Sequence, residues 1–358
     1  MNKKLLLAAT LAMCSNFLTA QVLYSQNFDN LTVGDVSTDL TGQTPGQGNW
    51  YTIYDNSSPN ATPNWFQIQT EANKGKVITL QSPAPPVFGN TALQQRNIDQ
   101  LINNRTQGND VIKFEVDFYT GSQNNETIHK RVIFGIRNNN ANPANSFPIV
   151  NFTLVSNTGE FLAVVNNGHS NIYTSTQEVN LGKNKQDLFL PFNTWVKCIF
   201  YADYTNKKVY FEIPSLNIVV MNDFLNLDNN PNPLNKFIPK SIMMFSDNKQ
   251  LTSTNKFDNI KITALKTVPA HLLSTDNFFA EKFNIFPNPA TDIVHITSMD
   301  HIVIENISIY DLNGKIIKEE SYTAESDIKL NVESLQSGTY LLKLKTKHGT
   351  AIKKMIKQ

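Results

Sequence analysis

Glu115-Val116-Asp117-Phe118-Tyr119-Thr120 is the stretch whose residue types and spacing come nearest to catalysis. In a strand, residues two apart leave the same face roughly 6–7 Å from one another, so Glu115 and Asp117 would stand side by side. Retaining glycoside hydrolysis needs two carboxyl groups about 5–5.5 Å apart, one a nucleophile and one a proton donor. Beyond Asp117, none of Tyr119, Thr120 and Gly121 supplies a further carboxylate. Two acids on a solvated strand face remain the ordinary alternative.

Other chemistries find less support. His129, His169, His271, His295, His301 and His348 include no pair at metal-ligand spacing with a third ligand in view. No nucleophile elbow, Walker loop or dinucleotide fingerprint occurs. Binding has better material: Trp50, Tyr51, Tyr54, Trp65 and Phe66 crowd a polar stretch rich in Pro and Asn. If exposed, Trp50, Tyr54 and Trp65 would stack on sugar faces; if buried, Trp50 and Trp65 would cap a core. Glu115 and Asp117 join them as candidate ligand-binding residues. Asp29, Asp258 and the Asp223–Asp228 loop would offer oxygen ligands to Ca²⁺, although no EF-hand spacing is present.

The elements that must position these residues read as strands. Val111 to Tyr119 alternates apolar Ile112, Phe114, Val116 and Phe118 with Lys113, Glu115 and Asp117, the period of a half-buried strand. Similar runs occur at 130–137, 148–155, 161–165, 195–203, 208–213, 217–221, 241–245 and 257–263. Clusters of Asn, Gly, Pro and Ser punctuate them, and only Ala92–Asn103 reads as potentially helical. The 46 Asn suit turns better than helices. A net charge of +1 over 358 residues lacks the electrostatic footprint of a nucleic-acid binder. The composition thus points to an all-β protein, a large antiparallel sandwich with a second, smaller one.

The chain begins with an address. Lys3 and Lys4 precede an apolar run from Leu5 to Met13, and Leu18-Thr19-Ala20 offers a cleavage site, so 1–20 reads as a signal peptide. The run is too short for a transmembrane helix, and no other stretch reaches that length. Cleavage would leave Cys198 alone, in a strand where a small buried hydrophobe is its expected role.

Two near-copies, Phe28-Asp29-Asn30-Leu31 and Phe257-Asp258-Asn259-Ile260, bracket residues 21–265, which makes the first and last strands candidate neighbours in a jelly roll. With Leu190-Pro191-Phe192-Asn193-Thr194-Trp195 and its hairpin through Asp203, this region resembles the concanavalin A-like (laminin G-like) sandwiches. Glucanases on such a fold use Glu-x-Asp-x-x-Glu, the motif whose last residue is missing here.

Residues 266–282 read as a linker, and 283–358 carry four ordered motifs. They are Phe286-Pro287-Asn288-Pro289-Ala290-Thr291-Asp292, Tyr310-Asp311-Leu312-Asn313-Gly314-Lys315, Leu335-Gln336-Ser337-Gly338-Thr339-Tyr340 and a lysine-rich end. Pro287 and Pro289 predict an extended start, Asn313-Gly314 a hairpin turn, and Gly338 a backbone other residues resist. In this order the motifs resemble the type A C-terminal sorting domain of the type IX secretion system of Bacteroidetes. That resemblance implies an Ig-like sandwich recognised by the type IX machinery. It also implies a cell-surface sortase that removes the domain and links the cargo to surface lipopolysaccharide. The expected product is a secreted or outer-membrane-surface β-sandwich that binds a polysaccharide or another extracellular polymer without catalysis. A polysaccharide-degrading enzyme and a structural surface protein are the alternatives.

Overall fold

The computed structural model describes residues 20–358 apart from 56–60, 84–88, 124–129, 140–146, 170–174, 183–185, 248–253, 274–281, 299–301, 313 and 347–348. The signal segment up to residue 19, much of the 266–282 linker, His129, His301, Asn313 and His348 therefore lie outside the described residues. The chain forms two compact units, one up to Val268 and one from Pro269.

Alternating strands build the first unit. In chain order they are β1 (Gln21–Gln26), β2 (Gly34–Asp35), β3 (Trp50–Tyr54), β4 (Phe66–Glu71), β5 (Gly75–Gln81), β6 (Thr91–Arg96), β7 (Val111–Tyr119), β8 (Arg131–Arg137) and β9 (Pro148–Val155). After them come β10 (Glu160–Asn166), β11 (Thr176–Asn180), β12 (Leu188–Phe189), β13 (Trp195–Asp203), β14 (Lys208–Ile213), β15 (Ile218–Asp223), β16 (Ser241–Ser246) and β17 (Thr254–Leu265). They make a nine-stranded sheet, β15-β14-β13-β7-β17-β5-β4-β2 with β1 on β17, and an eight-stranded sheet, β11-β10-β9-β8-β16-β6-β3 with β12 on β10. Strand pairing is antiparallel throughout, and the chain passes repeatedly from one sheet to the other, as in a jelly roll. Among the described residues no helix is long and apolar enough to cross a membrane.

The bracketing phrases end up together: β1 pairs with β17, Gln26 opposite Ile260. Beside that point β17 carries a bulge between Asp258 and Lys261, where Asn259 takes a left-handed backbone with φ of 51°. The helix expected over Ala92–Asn103 is half wrong. Ala92–Arg96 belongs to β6, and the helix occupies only Ile98–Asn103, after Asn97 with φ of 60°. The physical reason is the alternation of Thr91, Leu93 and Gln95 with Ala92, Gln94 and Arg96, which suits a sheet with neighbours on both sides.

A phenylalanine cluster joins the two sheets. Phe152 stacks on Phe161 at 5.4 Å and 10°, and lies 5.6–5.9 Å from Phe211 and Phe200 of the opposite sheet. Cys198 is buried with them, and burial pushes its thiol pKa up, which removes it from thiolate chemistry.

The second unit contains β18 (Phe283–Phe286), β19 (Ile293–Ser298), β20 (Ile304–Tyr310), β21 (Ile316–Glu325), β22 (Asp327–Asn331), β23 (Gly338–Thr346) and β24 (Gly349–Lys357). A three-stranded sheet, β18-β19-β22, faces a four-stranded one, β21-β20-β23-β24, around its own core of Ile, Leu and Val: a small Ig-like sandwich.

Phe152→Ala should destabilise the first unit by roughly 3–5 kcal/mol through lost burial and a residual cavity. Lys261→Ala should stay within about 0.5 kcal/mol. Urea titration followed by tryptophan fluorescence measures both, because Trp50, Trp65 and Trp195 all lie in this unit.

Candidate functional site

Glu115 and Asp117 do share a face, the outer face of the nine-stranded sheet, since Phe114, Val116 and Phe118 occupy the core. Register sets their neighbours: Asp117 lies between Lys197 on β13 and Asp258 on β17, and Glu115 between Ile199 and Lys261. Asp117 receives Lys74 Nζ at 2.7 Å and Lys197 Nζ at 2.9 Å, and Asn259 Nδ2 donates to it at 2.9 Å. Burial opposes its charge, but these donors outweigh that and hold its carboxyl below the ordinary aspartate range. Glu115 is tied to Lys113 at 2.9 Å. Both carboxylates are thus engaged by lysines.

Asp258 behaves oppositely. It faces Asp117 across the strands, with 1% of its surface exposed against 7% for Asp117. Burial, together with the Asp117 and Asp29 charges, raises its pKa to about 6, against the pull of Asn259 and Lys74. Asn259 bridges the pair, its Nδ2 donating to Asp258 at 2.9 Å as it does to Asp117.

Asp29 is spent locally. Its Oδ1 accepts the Lys76 N–H at 2.8 Å, and Asn27 Nδ2 donates to Oδ2 at 2.9 Å. A Cβ on Gly75 would lie 2.3 Å from Asp29 Oδ1, so this turn requires glycine there as well as for its φ of 81°. Asp29 and Asp258, the expected calcium ligands, thus both accept hydrogen bonds from protein donors. In the 223–228 loop Asp223 pairs with Lys208, and Asp228 with Lys236 at 2.5 Å. Among the described residues no group of three or more His, Cys, Asp or Glu is arranged to hold a metal ion.

The expected aromatic platform is corrected. Trp50 and Tyr54 point inward from β3, Trp50 with 0% exposure, and Trp65 follows at 6%. Trp50 packs 6.0 Å from Phe28, and Tyr54 5.1 Å from Trp65. They cap the core: strand parity sends Trp50 and Tyr54 inward from β3, and a 3-10 turn over Pro63–Trp65 delivers Trp65. Half-exposed rings include Tyr119 and Trp195, 5.5 Å apart, with Lys256 Nζ and Lys74 Nζ 4.9 and 4.7 Å over them, and Tyr51.

Tyr51 belongs to a polar lane across the outer face of the eight-stranded sheet. One rung runs Tyr51, Gln94, Met243, Gly135, Asn151; beside it Ser241 stands between Arg96 and Arg137. A Cβ on Gly135 would lie 2.2 Å from the Val150 carbonyl oxygen and 2.8 Å from Asn151 Oδ1, so this position needs glycine. The Arg96 guanidinium lies 3.9 Å over the Tyr51 ring, and its Nε donates to Gln94 Oε1 at 2.8 Å. Gln94 Nε2 donates to Ser241 Oγ at 3.1 Å. Burial lowers the guanidinium pKa of Arg137 to about 10 and also lowers that of Arg96, where Tyr51 and Asp39 oppose it. Tyr51 and Arg96 are half-exposed at one end, while Gln94, Ser241 and Asn151 are enclosed. Such amides, hydroxyls and a stacked guanidinium suit a polyhydroxylated ligand. Sequence reasoning missed Gln94, Arg96, Arg137, Asn151 and Ser241, although polar residues alternating along apolar strands were the available signal.

In the second unit both prolyl bonds, Phe286–Pro287 and Asn288–Pro289, are cis, in place of the expected extended start. The Asp292 carbonyl accepts the Val332 N–H at 2.8 Å. Asp311 Oδ1 accepts the Lys315 N–H at 2.9 Å and so closes the loop containing Gly314, which has φ of 81°. Tyr310 pairs with Leu341 across the sheet, and Tyr340 Oη donates to the Gln336 carbonyl at 2.9 Å. The expectation for Gly338 fails: its φ is not positive, and an added Cβ would meet only the Tyr340 ring at 3.8 Å.

Residues 284–358 match the family described as secretion system C-terminal sorting domain. The second unit is therefore a type IX sorting domain, and the chain is exported to the cell surface or the extracellular space. Beta-agarase D of Zobellia galactanivorans is 30% identical over 76 residues, which is 21% of this chain and only 15% of that protein. Among solved structures, endo-1,3-beta-glucanase from Streptomyces sioyaensis is similar with a TM-score of 0.40 and 10% identity, over 68% of this chain and 97% of that one. Alginate lyase A1-II′, a member of polysaccharide lyase family-7, is similar with a TM-score of 0.36 and 11% identity, over 58% and 86%.

Asp258 binds its proton more tightly folded, near pH 6, than unfolded, near pH 4, so its contribution to stability is present at low pH and lost as pH rises through that window. Asp258→Asn should therefore gain on the parent between pH 4 and pH 7, by roughly 1–2 kcal/mol after allowance for solvent screening. Denaturant unfolding of both proteins at the two pH values gives the difference.

Proposed function

We propose that the protein is a surface-displayed, non-catalytic β-sandwich that binds a glycan or another extracellular polymer through the Tyr51–Arg96 end of the polar lane. In this reading residues 1–20 are a leader, 21–265 the binding cargo, 266–282 a tether and 283–358 the export signal. The supporting observation is the stack of Arg96 on Tyr51, 3.9 Å apart, half-exposed and continuous with enclosed amide and hydroxyl groups. A guanidinium held flat on a phenol offers several fixed donors beside an apolar ring, the two features a sugar contact uses. The neutralisation of Glu115 and Asp117 by lysines supports a role without acid–base chemistry.

A second reading, a polysaccharide-degrading enzyme, draws on one observation. Asp117 and Asp258 face each other with their carboxyl pKa values displaced in opposite directions, the pattern that separates a base from an acid.

A glycan array with the intact protein should give a bound class of polymer. Arg96→Ala and Tyr51→Ala should each weaken binding about tenfold or more, as aromatic and arginine anchors do. Incubation with the bound polymer should release no reducing or unsaturated ends. Release abolished by Asp117→Asn would replace this reading with the enzymatic one, and absence of both binding and release would leave a structural surface protein.

A further inference from the structure

We infer that the type IX machinery reads the sorting unit as a folded edge, in which Asn288 is the positioning residue that joins the opening motif to the lysine-rich last strand, and that the surface reading it is acidic. β24 ends the order β21-β20-β23-β24, so β23 satisfies only one of its sides. On the other side the Asn288 side chain does the work of a neighbouring peptide unit. Its Nδ2 donates to the Lys354 carbonyl at 2.9 Å, and its Oδ1 accepts the Ile356 N–H at 2.8 Å.

Backbone continues where the side chain stops. The Ala290 N–H donates to the Ile356 carbonyl at 2.8 Å, the Gln358 N–H donates to the Ala290 carbonyl at 2.9 Å, and Ala290 forms a parallel bridge with Lys357. The Ala290 side chain is buried in the unit's core, which fixes the depth of the segment. Two motifs more than sixty positions apart therefore form one short ladder. Neither a peptide copied from the opening segment nor one copied from the tail would carry it.

Charge identifies the kind of partner. From Gly338 to Gln358 the sequence holds six Lys and no Asp or Glu, in a chain whose net charge is only +1. Ile352 and Ile356 are exposed on the same strand, so the edge presents apolar side chains among cations. An acidic protein surface with apolar recesses complements it.

The test is secretion of the intact chain in its native cell, scored as the fraction reaching the surface or medium. Asn288→Ala should lower that fraction at least fivefold. Its loss of thermal stability is then matched with a core substitution of the same unit away from the edge, Ile307→Val or Leu344→Ala, whichever gives the same fall in Tm. The matched core variant should be exported like the parent. Normal export of Asn288→Ala, or an equal defect in the core variant, would overturn the inference, since the residue would then matter only through stability or not at all. Lys354→Glu should impair export and Lys354→Arg should preserve it; export of the Glu variant at the parental level would overturn the acidic partner.

Discussion

Strand parity governs this molecule. Consecutive side chains in a strand leave opposite faces, so once one residue is committed to the core its neighbours are committed to the outside. Trp50 in the core puts Tyr51 on the lane; Phe114, Val116 and Phe118 in the core put Glu115 and Asp117 on the charged face. The commitment is strong because the core is aromatic. Phe118, Phe134, Phe152, Phe161, Phe200 and Phe211 interlock between the sheets, and each such ring buries on the order of 150–250 Å². A slip of one residue in β7 or β17 would exchange Phe114 or Phe257 for a lysine or an acid.

On the charged face, parity assembles groups that repel. Asp117 and Asp258 meet as cross-strand partners, an arrangement that destabilises a sheet when both are charged. Two lysines and the Asn259 amide meet the Asp117 charge, while burial raises the Asp258 pKa toward neutrality. Lys74 comes from the β4–β5 turn and Asn259 from the bulge of β17, so the network ties three separate segments to β7. Desolvation offsets much of the attraction in such a network, so its net contribution to stability is small.

Most of the fold was legible because alternation is a local signal. Val111–Tyr119, Pro148–Val155, Trp195–Asp203 and Lys208–Ile213 form strands at the bounds their patterns indicate. The candidate site was legible only in part. Alternation says that Glu115 and Asp117 share a face, but the lysines that neutralise Asp117 lie 43 and 80 positions away from it in the chain, and only register brings them together. Likewise Arg96, Ser241 and Arg137 form one rung from three strands, which no local window contains. Trp50 and Trp65 misled for a related reason: polar flanking residues look like exposure, whereas parity sends Trp50 inward and a 3-10 turn over Pro63–Trp65 carries Trp65 to the same core. In the sorting unit the motifs were readable as an ordered set, but the contact between the first and the last of them belongs to the folded sandwich alone.

A sandwich differs from a barrel in having edges, and an edge strand with free N–H and C=O groups invites pairing with another chain. In the first unit the long strand β17 is flanked by β7 along one side and by β5 and β1 in turn along the other, so its polar backbone is used on both sides. The sorting unit has no strand to spare for β24. It closes part of that edge with one amide side chain and a stretch of backbone, and it leaves lysines elsewhere along the strand, where charge discourages pairing between copies. A side-chain seal differs from a full strand in how readily it opens. It rests on a pair of hydrogen bonds whose net contribution is about 1 kcal/mol each, so it holds only while the Asn288 side chain keeps its place between the Lys354 carbonyl and the Ile356 N–H. The same few atoms thus close this part of the edge against pairing with another copy and fix the opening motif beside the last strand.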